Sequence, residues 1–156
     1  MEGNELIHKT IQLAIDNVTH GGGGPFAALV VKDGEIISTG VNRVTSTLDP
    51  TAHAEVVAIR AACQVLRHFE LTGCEIYCSC EPCPMCLGAI YWSRPAHVLF
   101  AATASAAAEA GFDDSFIKEQ VRLPFSQQEL PIEHLSDARA LAPFEAWKRK
   151  ADKIVY

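Results

Sequence analysis

The chain has 156 residues, 49% of them hydrophobic, with 13 basic against 19 acidic side chains and a formal net charge of −6. That length supports one domain with a sizeable core and is short for two. The acidic balance argues against a polyanionic partner, because nucleic-acid affinity comes largely from basic groups that neutralise phosphates, and the one concentrated basic stretch is WKRK at 147–150.

The opening MEGNELIHKT lacks the basic and apolar regions of a signal peptide, and no apolar run reaches about 18 residues, so no membrane partner and a cytoplasmic, reducing setting are expected. NELIHKTIQLAIDNVTH places Leu6 or Ile7, Ile11, Ala14 or Ile15, and Val18 on one helical face, with Asn4 as N-cap. The tetraglycine at 21–24 breaks this helix as a short corner. FAALVV and EIISTGV then flank an Asp33-Gly34 turn and read as an antiparallel hairpin. After the polar loop VNRVTSTLDP, the stretch TAHAEVVAIRAACQVLRH returns to helical period just past Pro50. A strand CEIYC, a short helix PMCLGAIYW and a strand AHVLFAA follow, then SAAAEAGFDDSFIKEQV, a Pro-punctuated loop and a last helical stretch near PFEAWKRKADKIVY. Strands alternating with helices predict a single α/β domain, a three-layer α/β/α sandwich around a mixed sheet.

Four of the six cysteines fall within CSCEPCPMC, residues 78–86. In a reducing compartment such a cluster is more often metal-binding or catalytic than a disulfide knot. Cys83 and Cys86 are three apart at a helix entry marked by Pro82 and Pro84, so their sulfurs share one side of the helix and can share one metal. Cys78 and Cys80 alternate on one face of the preceding strand and read as small core residues. Alone, the CxxC pair fits redox chemistry or half a zinc ribbon equally well, but Cys63 and Cys74 have no CxxC spacing and supply no second pair. Upstream lies His53-Ala54-Glu55. A histidine joined to two cysteines leaves one coordination position open, the pattern of catalytic rather than structural zinc. Glu55, two positions from His53, reaches that position without ligating. Together these residues form the H-x-E…P-C-x-x-C signature of zinc deaminases, with Glu55 as general acid and base.

On these residues the chain resembles a known family. DPTAHAEVVAIRAAC and SCEPCPMCLGAIYWSRP look like the cytidine deaminase-like superfamily, and EAGFDDSFI at 109–117 with a terminal tyrosine resembles its bacterial guanine deaminase branch. The resemblance implies a mixed five-stranded central sheet, one Zn²⁺ per subunit held by His53, Cys83 and Cys86, and hydrolysis of guanine to xanthine and ammonia. It implies catalytic roles for Glu55 and Asp114, and substrate contacts from Asn42, Phe26, Trp92 and Tyr156. Guanine presents acceptors at O6 and N7 and donors at N1 and the 2-amino group, which suits an amide at Asn42 and a carboxylate at Asp114. It also implies a homodimer whose C-terminal segments, from about residue 110, are exchanged. Arg43 and Leu48 stand where related chains often have Asn. Three rival functions share some of these features: deamination of another small ring or nucleoside, deamination of tRNA or DNA, and a non-catalytic zinc module.

Overall fold

A computed structural model describes residues 3–156. The chain forms two compact units, Met1–Lys118 and Glu119–Tyr156.

The first unit is built on a sheet of four strands, β1 (Ala27–Lys32), β2 (Glu35–Val41), β3 (Cys74–Cys80) and β4 (His97–Ala102), in the order β2-β1-β3-β4. β1 pairs antiparallel with both β2 and β3, while β3 and β4 run parallel, so the sheet is mixed. The β1–β2 connection is the predicted one. Asp33 and Gly34 take φ values of 51° and 79°, the two positive angles that a tight hairpin turn needs to follow the twist of its strands.

Alternation along β1 separates two cores. Leu29 and Val31 face α1 (Gly3–Thr19), where they meet Leu6 and Tyr77. Ala28 and Val30 face the other way, toward Ala54, Ala58 and Ala62 of α3 (Ala54–Leu66) and Ile90 of α4 (Pro84–Ser93). Successive strand side chains point to opposite faces, so a central strand covered on both sides is apolar at nearly every position. Leu29 and Ile76 are fully buried, and side chains of this size stabilise the fold by about 1.5–3 kcal/mol each. The result is the expected three-layer sandwich. On the α3 side the approach is close. A methyl group at Gly40 of β2 would lie 2.1 Å from the Ala54 carbonyl oxygen and 2.5 Å from the Ala58 nitrogen, so α3 rests directly on backbone. Nearby, the Ser38 hydroxyl donates to the Ala58 carbonyl at 2.8 Å.

Three expectations are corrected. The sheet has four strands among the described residues rather than five. Beyond β4 the described chain is helical or irregular, beginning with α5 (Ala104–Glu109) and α6 (Ser115–Gln120), and the alternating Val121, Leu123 and Phe125 carry Pro124 among them, which has no N–H to give a strand ladder. The buried stripe of α1 is Leu6, Thr10, Ala14 and Asn17, rotated from the apolar count, and leaves Ile15 and Val18 about half exposed. Two polar residues take the core side because their groups are satisfied there: Thr10 donates to the Leu6 carbonyl, and Asn17 to backbone of two loops. Asn4 lies inside α1 rather than capping it. The short helix α2 (Val44–Thr47) lies in the loop after β2.

The second unit holds a 3-10 turn at Phe125–Gln127 and the helix α7 (Ala142–Arg149). Its irregular part is pinned by side-chain bonds, Gln128 to the Leu123 carbonyl at 3.0 Å and the Glu129 amide to Gln120 at 2.8 Å.

Candidate active site

Two helix starts meet at the site. His53 is the N-cap of α3 and Cys83 the N-cap of α4, both with extended backbone, and neither side chain caps its own helix. Their side chains are thereby free to face each other across the end of the sheet. Each start is fixed locally. The Asp49 carboxylate accepts from the backbone and hydroxyl of Thr51 at 2.8 and 2.7 Å, and the Arg43 amide donates to the Ala52 carbonyl at 2.9 Å, which delivers His53 to the head of α3. Pro84 occupies the first helical position of α4, where its missing N–H costs nothing. Cys86, in the first turn of α4, is fully buried.

His53 Nδ1 lies 3.5 Å from the sulfurs of both Cys83 and Cys86. A tetrahedral ion with Zn–N of about 2.0–2.1 Å and Zn–S of about 2.3 Å sets nitrogen and sulfur about 3.5 Å apart. The donor set therefore fits zinc in separation as well as chemistry, and it is the one such cluster among the described residues. The positive ends of α3 and α4 converge on the sulfurs and favour thiolate. A hydrogen bond with Cys86, followed by one with His53, pulls the Cys83 thiol down to about 4, and the bond with Cys83 raises the Cys86 thiol and the His53 ring.

Glu55 is in the first turn of α3, 8% exposed, and burial pushes its carboxyl above the usual range. It opens, with His53 and Cys83, into a cavity of ≈ 380 Å³. The cavity lies beyond the carboxyl ends of the parallel strands β3 and β4, where open α/β sheets take ligands. Cys80 lines it from the end of β3, whereas Cys78 belongs to the core.

The structure brings most of the remaining predicted residues to the same cavity. Asn42 and Phe26 line one side, and the Asn42 side-chain oxygen also accepts from the Val44 amide at 3.3 Å. Asp114 lines the other, with Lys118 Nζ at 3.3 Å. The two neighbouring aspartates divide their work, since Asp113 accepts from the Ser115 amide at 2.9 Å in the turn that leads into α6. Trp92 is not among the lining residues and is 66% exposed. Six residues past Cys86, it is turned about 120° around the helix from that sulfur. Tyr156, 67% exposed, ends the second unit.

Phe112 and Glu81 are among the lining residues that carried no expectation. Phe112 packs edge-on against Phe26, ring centroids 5.0 Å apart, and Glu81 accepts from Lys118 at 3.4 Å and from the Ala104 amide at 3.0 Å. Glu81's position at a strand end, two before Cys83, was the available signal. Phe112 had none beyond lying next to Asp113.

The fold and donor set are those of one class of protein: the chain belongs to the cytidine and deoxycytidylate deaminase zinc-binding family, whose zinc-binding region matches residues 1–102. Over all 156 residues, 100% of both chains, it is 50% identical to guanine deaminase of Bacillus subtilis (strain 168). It is similar in structure to the X-ray structure of guanine deaminase from Bacillus subtilis, with a TM-score of 0.98 at 50% identity over 100% of this chain and 99% of that one. The tRNA-specific adenosine deaminase of Aquifex aeolicus (strain VF5) is also 50% identical, but over 78 residues, 50% of this chain and 52% of its own.

Proposed function

We propose that the protein is a guanine deaminase, converting guanine and water to xanthine and ammonia. The observation that carries this reading is a buried carboxylate, Glu55, placed beside the His53–Cys83–Cys86 cluster in a cavity of base size, in a chain similar from end to end to a guanine deaminase.

His53, Cys83 and Cys86 would hold the metal. When bound there, zinc supplies a Lewis acid that makes water nucleophilic at neutral pH. Glu55 takes a proton from the water attacking C2, the ring carbon that bears the amino group, and passes it to the ring nitrogen; it then takes the second proton from the hydroxyl now on C2 and passes it to the amine, which departs as ammonia as the carbonyl forms. One carboxylate serves both directions because the proton gained in the first transfer is the proton needed in the next. Asn42 donates its amide to the O6 and N7 acceptors, Asp114 accepts from N1 and the 2-amino group, and Phe26 covers the ring face. Trp92 is given no role in this chain's own cavity.

In this reading the protein acts in the cytoplasm as a homodimer of one deaminase domain each, with C-terminal segments exchanged so that Tyr156 serves the partner's site, while Asp114, expected to cross with it, lines its own chain's cavity. Two features support exchange. Gly111 has a φ of 93°, a backbone state that only glycine adopts readily, and Phe125, Leu135, Phe144 and Val155 leave large apolar side chains in solvent. Six free cysteines suit a reducing compartment.

The test is ammonia release by zinc-loaded protein offered guanine, with guanosine, cytosine and adenine in parallel. Turnover of guanine above the others is expected. Turnover of another compound with guanine inert would overturn the substrate and keep the chemistry.

A further inference from the structure

The function proposed above leaves the tetraglycine corner and the buried amide of α1 unexplained. Asn17 is 7% exposed on the buried face of α1, which it shares with Leu6, Thr10 and Ala14. Its side-chain nitrogen donates to two carbonyl oxygens from different parts of the chain, Gly24 at 2.8 Å and Asn42 at 3.0 Å. Its backbone carbonyl accepts from the Gly23 amide at 3.1 Å. Each carboxamide carries two N–H donors, so one side chain ties the end of the glycine corner to the end of β2.

The glycines are what permit this closeness. A methyl group at Gly23 would fall 2.3 Å from the Asn42 carbonyl oxygen and 2.5 Å from the Asn17 side-chain nitrogen, and one at Gly21 would fall 2.7 Å from the Asn17 side-chain oxygen. The corner is therefore folded around the Asn17 amide. Just beyond it, the Phe26 amide donates to the Gly24 carbonyl at 2.8 Å, and the Asn42 amide donates to the Phe26 carbonyl at 3.0 Å. Both carbonyls that Asn17 holds thus belong to the short backbone circuit carrying Phe26 and Asn42, the aromatic ring and the amide on one wall of the cavity.

We infer that Asn17 is the positioning residue for the base-recognition wall, setting where Phe26 and Asn42 stand relative to the zinc-binding cluster without touching substrate itself. The inference rests on the reading of Asn42 as a base contact. Asn17 is outside the cavity lining and on a different helix from the proton-handling group Glu55, so its loss acts on binding rather than on the chemical step.

The experiment compares Asn17→Ser, which keeps a small polar side chain but cannot span both carbonyls, with Asn17→Leu, Asn42→Ala and the Asn17→Ser/Asn42→Ala double variant. Each is assayed as folded, zinc-loaded protein for kcat and KM with guanine, and by NMR for the Asn42 side-chain amide and Phe26 ring signals. The expected result for Asn17→Ser is a KM raised about tenfold, in line with loss of one well-placed polar contact, with kcat within about threefold. In the double variant KM should exceed that of Asn42→Ala by less than about twofold, because two residues acting through one contact are not additive. The Asn42 and Phe26 signals should move. A folded Asn17→Ser protein of lower Tm but unchanged KM and unchanged signals overturns the inference and leaves Asn17 as a structural tie. An Asn42→Ala variant with wild-type KM overturns the base contact on which it rests. If the wild type does not turn over guanine, the proposed substrate fails, and the NMR signals alone decide the role of Asn17; should Asn17→Leu be the only variant to misfold, Asn17→Ser carries the decision.

Discussion

Replacing Glu55 by Gln preserves size and removes one function, the carriage of a proton. The side chain is 8% exposed in the first turn of α3, so an isosteric amide fits the same space. An amide also costs less to bury than a carboxylate, and no fall in Tm is expected. A positioned acid or base contributes about 10²–10⁴ to a step. Glu55 receives a proton in one step and delivers it in the next, and the slower of the two sets the rate, so the loss in kcat is about 10²–10⁴, or about 2.7–5.4 kcal/mol of activation free energy. The assay is ammonia release at saturating guanine, run beside zinc content by mass spectrometry and Tm by calorimetry. Full zinc, unchanged or higher Tm and turnover lowered by that factor are the expected results. Activity within about a hundredfold of wild type at full zinc would show that another group moves the proton. Zinc lost in step with activity would make Glu55 a ligand, and the open coordination position would be gone from the argument.

Cys83→Ser should lower zinc content and abolish turnover, and its Tm should no longer rise when zinc is added, because a ligand stabilises only the state that binds it; titration calorimetry with Zn²⁺ reads this directly. Ile76→Ala removes a fully buried side chain from the core beneath α3 and α4. It should cost about 2–5 kcal/mol and lower Tm by about 4–20 °C, with zinc per folded chain unchanged. Asp49 is held below the usual carboxylate range by its hydrogen bonds to the Thr51 side chain and backbone, with Arg60 adding to them. A depressed folded pKa gives stability that is present above the unfolded value of about 3.9 and lost as pH falls through the folded one. The gap in urea midpoint between wild type and Asp49→Asn should therefore be open at pH 6 and close as pH falls below the unfolded value and through the lower folded one; a gap that persists in acid would mean that charge is not what Asp49 contributes.

The site was legible where residue type and spacing dictate geometry. Cys83 and Cys86 at three-residue spacing after a strand must share a side, and His53 with Glu55 needs only a helix start to present both. The hairpin was legible because Asp-Gly fits few other turns. What escaped was set by tertiary contact. An apolar count cannot assign Thr10 and Asn17 to the buried face of α1, since their burial depends on partners contributed by backbone, some of it 25 residues away. Trp92 was expected at the pocket from the resemblance; it is 66% exposed and does not line this chain's own cavity. The fifth strand came from resemblance alone, and the alternating Val121, Leu123 and Phe125 are interrupted by Pro124, which cannot donate to a ladder. Phe112 joins the cavity through a loop whose path no local pattern encodes, whereas Glu81, directly after β3, could have been read from its place before Cys83.

The contact at Gly40 has a consequence for how such an enzyme can change. With α3 seated on bare backbone, the head of that helix has no side-chain cushion to compress, and even one added methyl at Gly40 would have to lift the His53 end away from the cysteine pair. The catalytic centre is in this sense a property of the chassis, fixed by a position that contributes no atom to the chemistry. Phe26, Asn42, Phe112 and Asp114, by contrast, hang on loops at the rim, where residues can be exchanged without moving the frame. Selection for a different ring would therefore act on those loops and leave the helix seat untouched, so that one hydrolytic engine could accept new fuels by changing its intake.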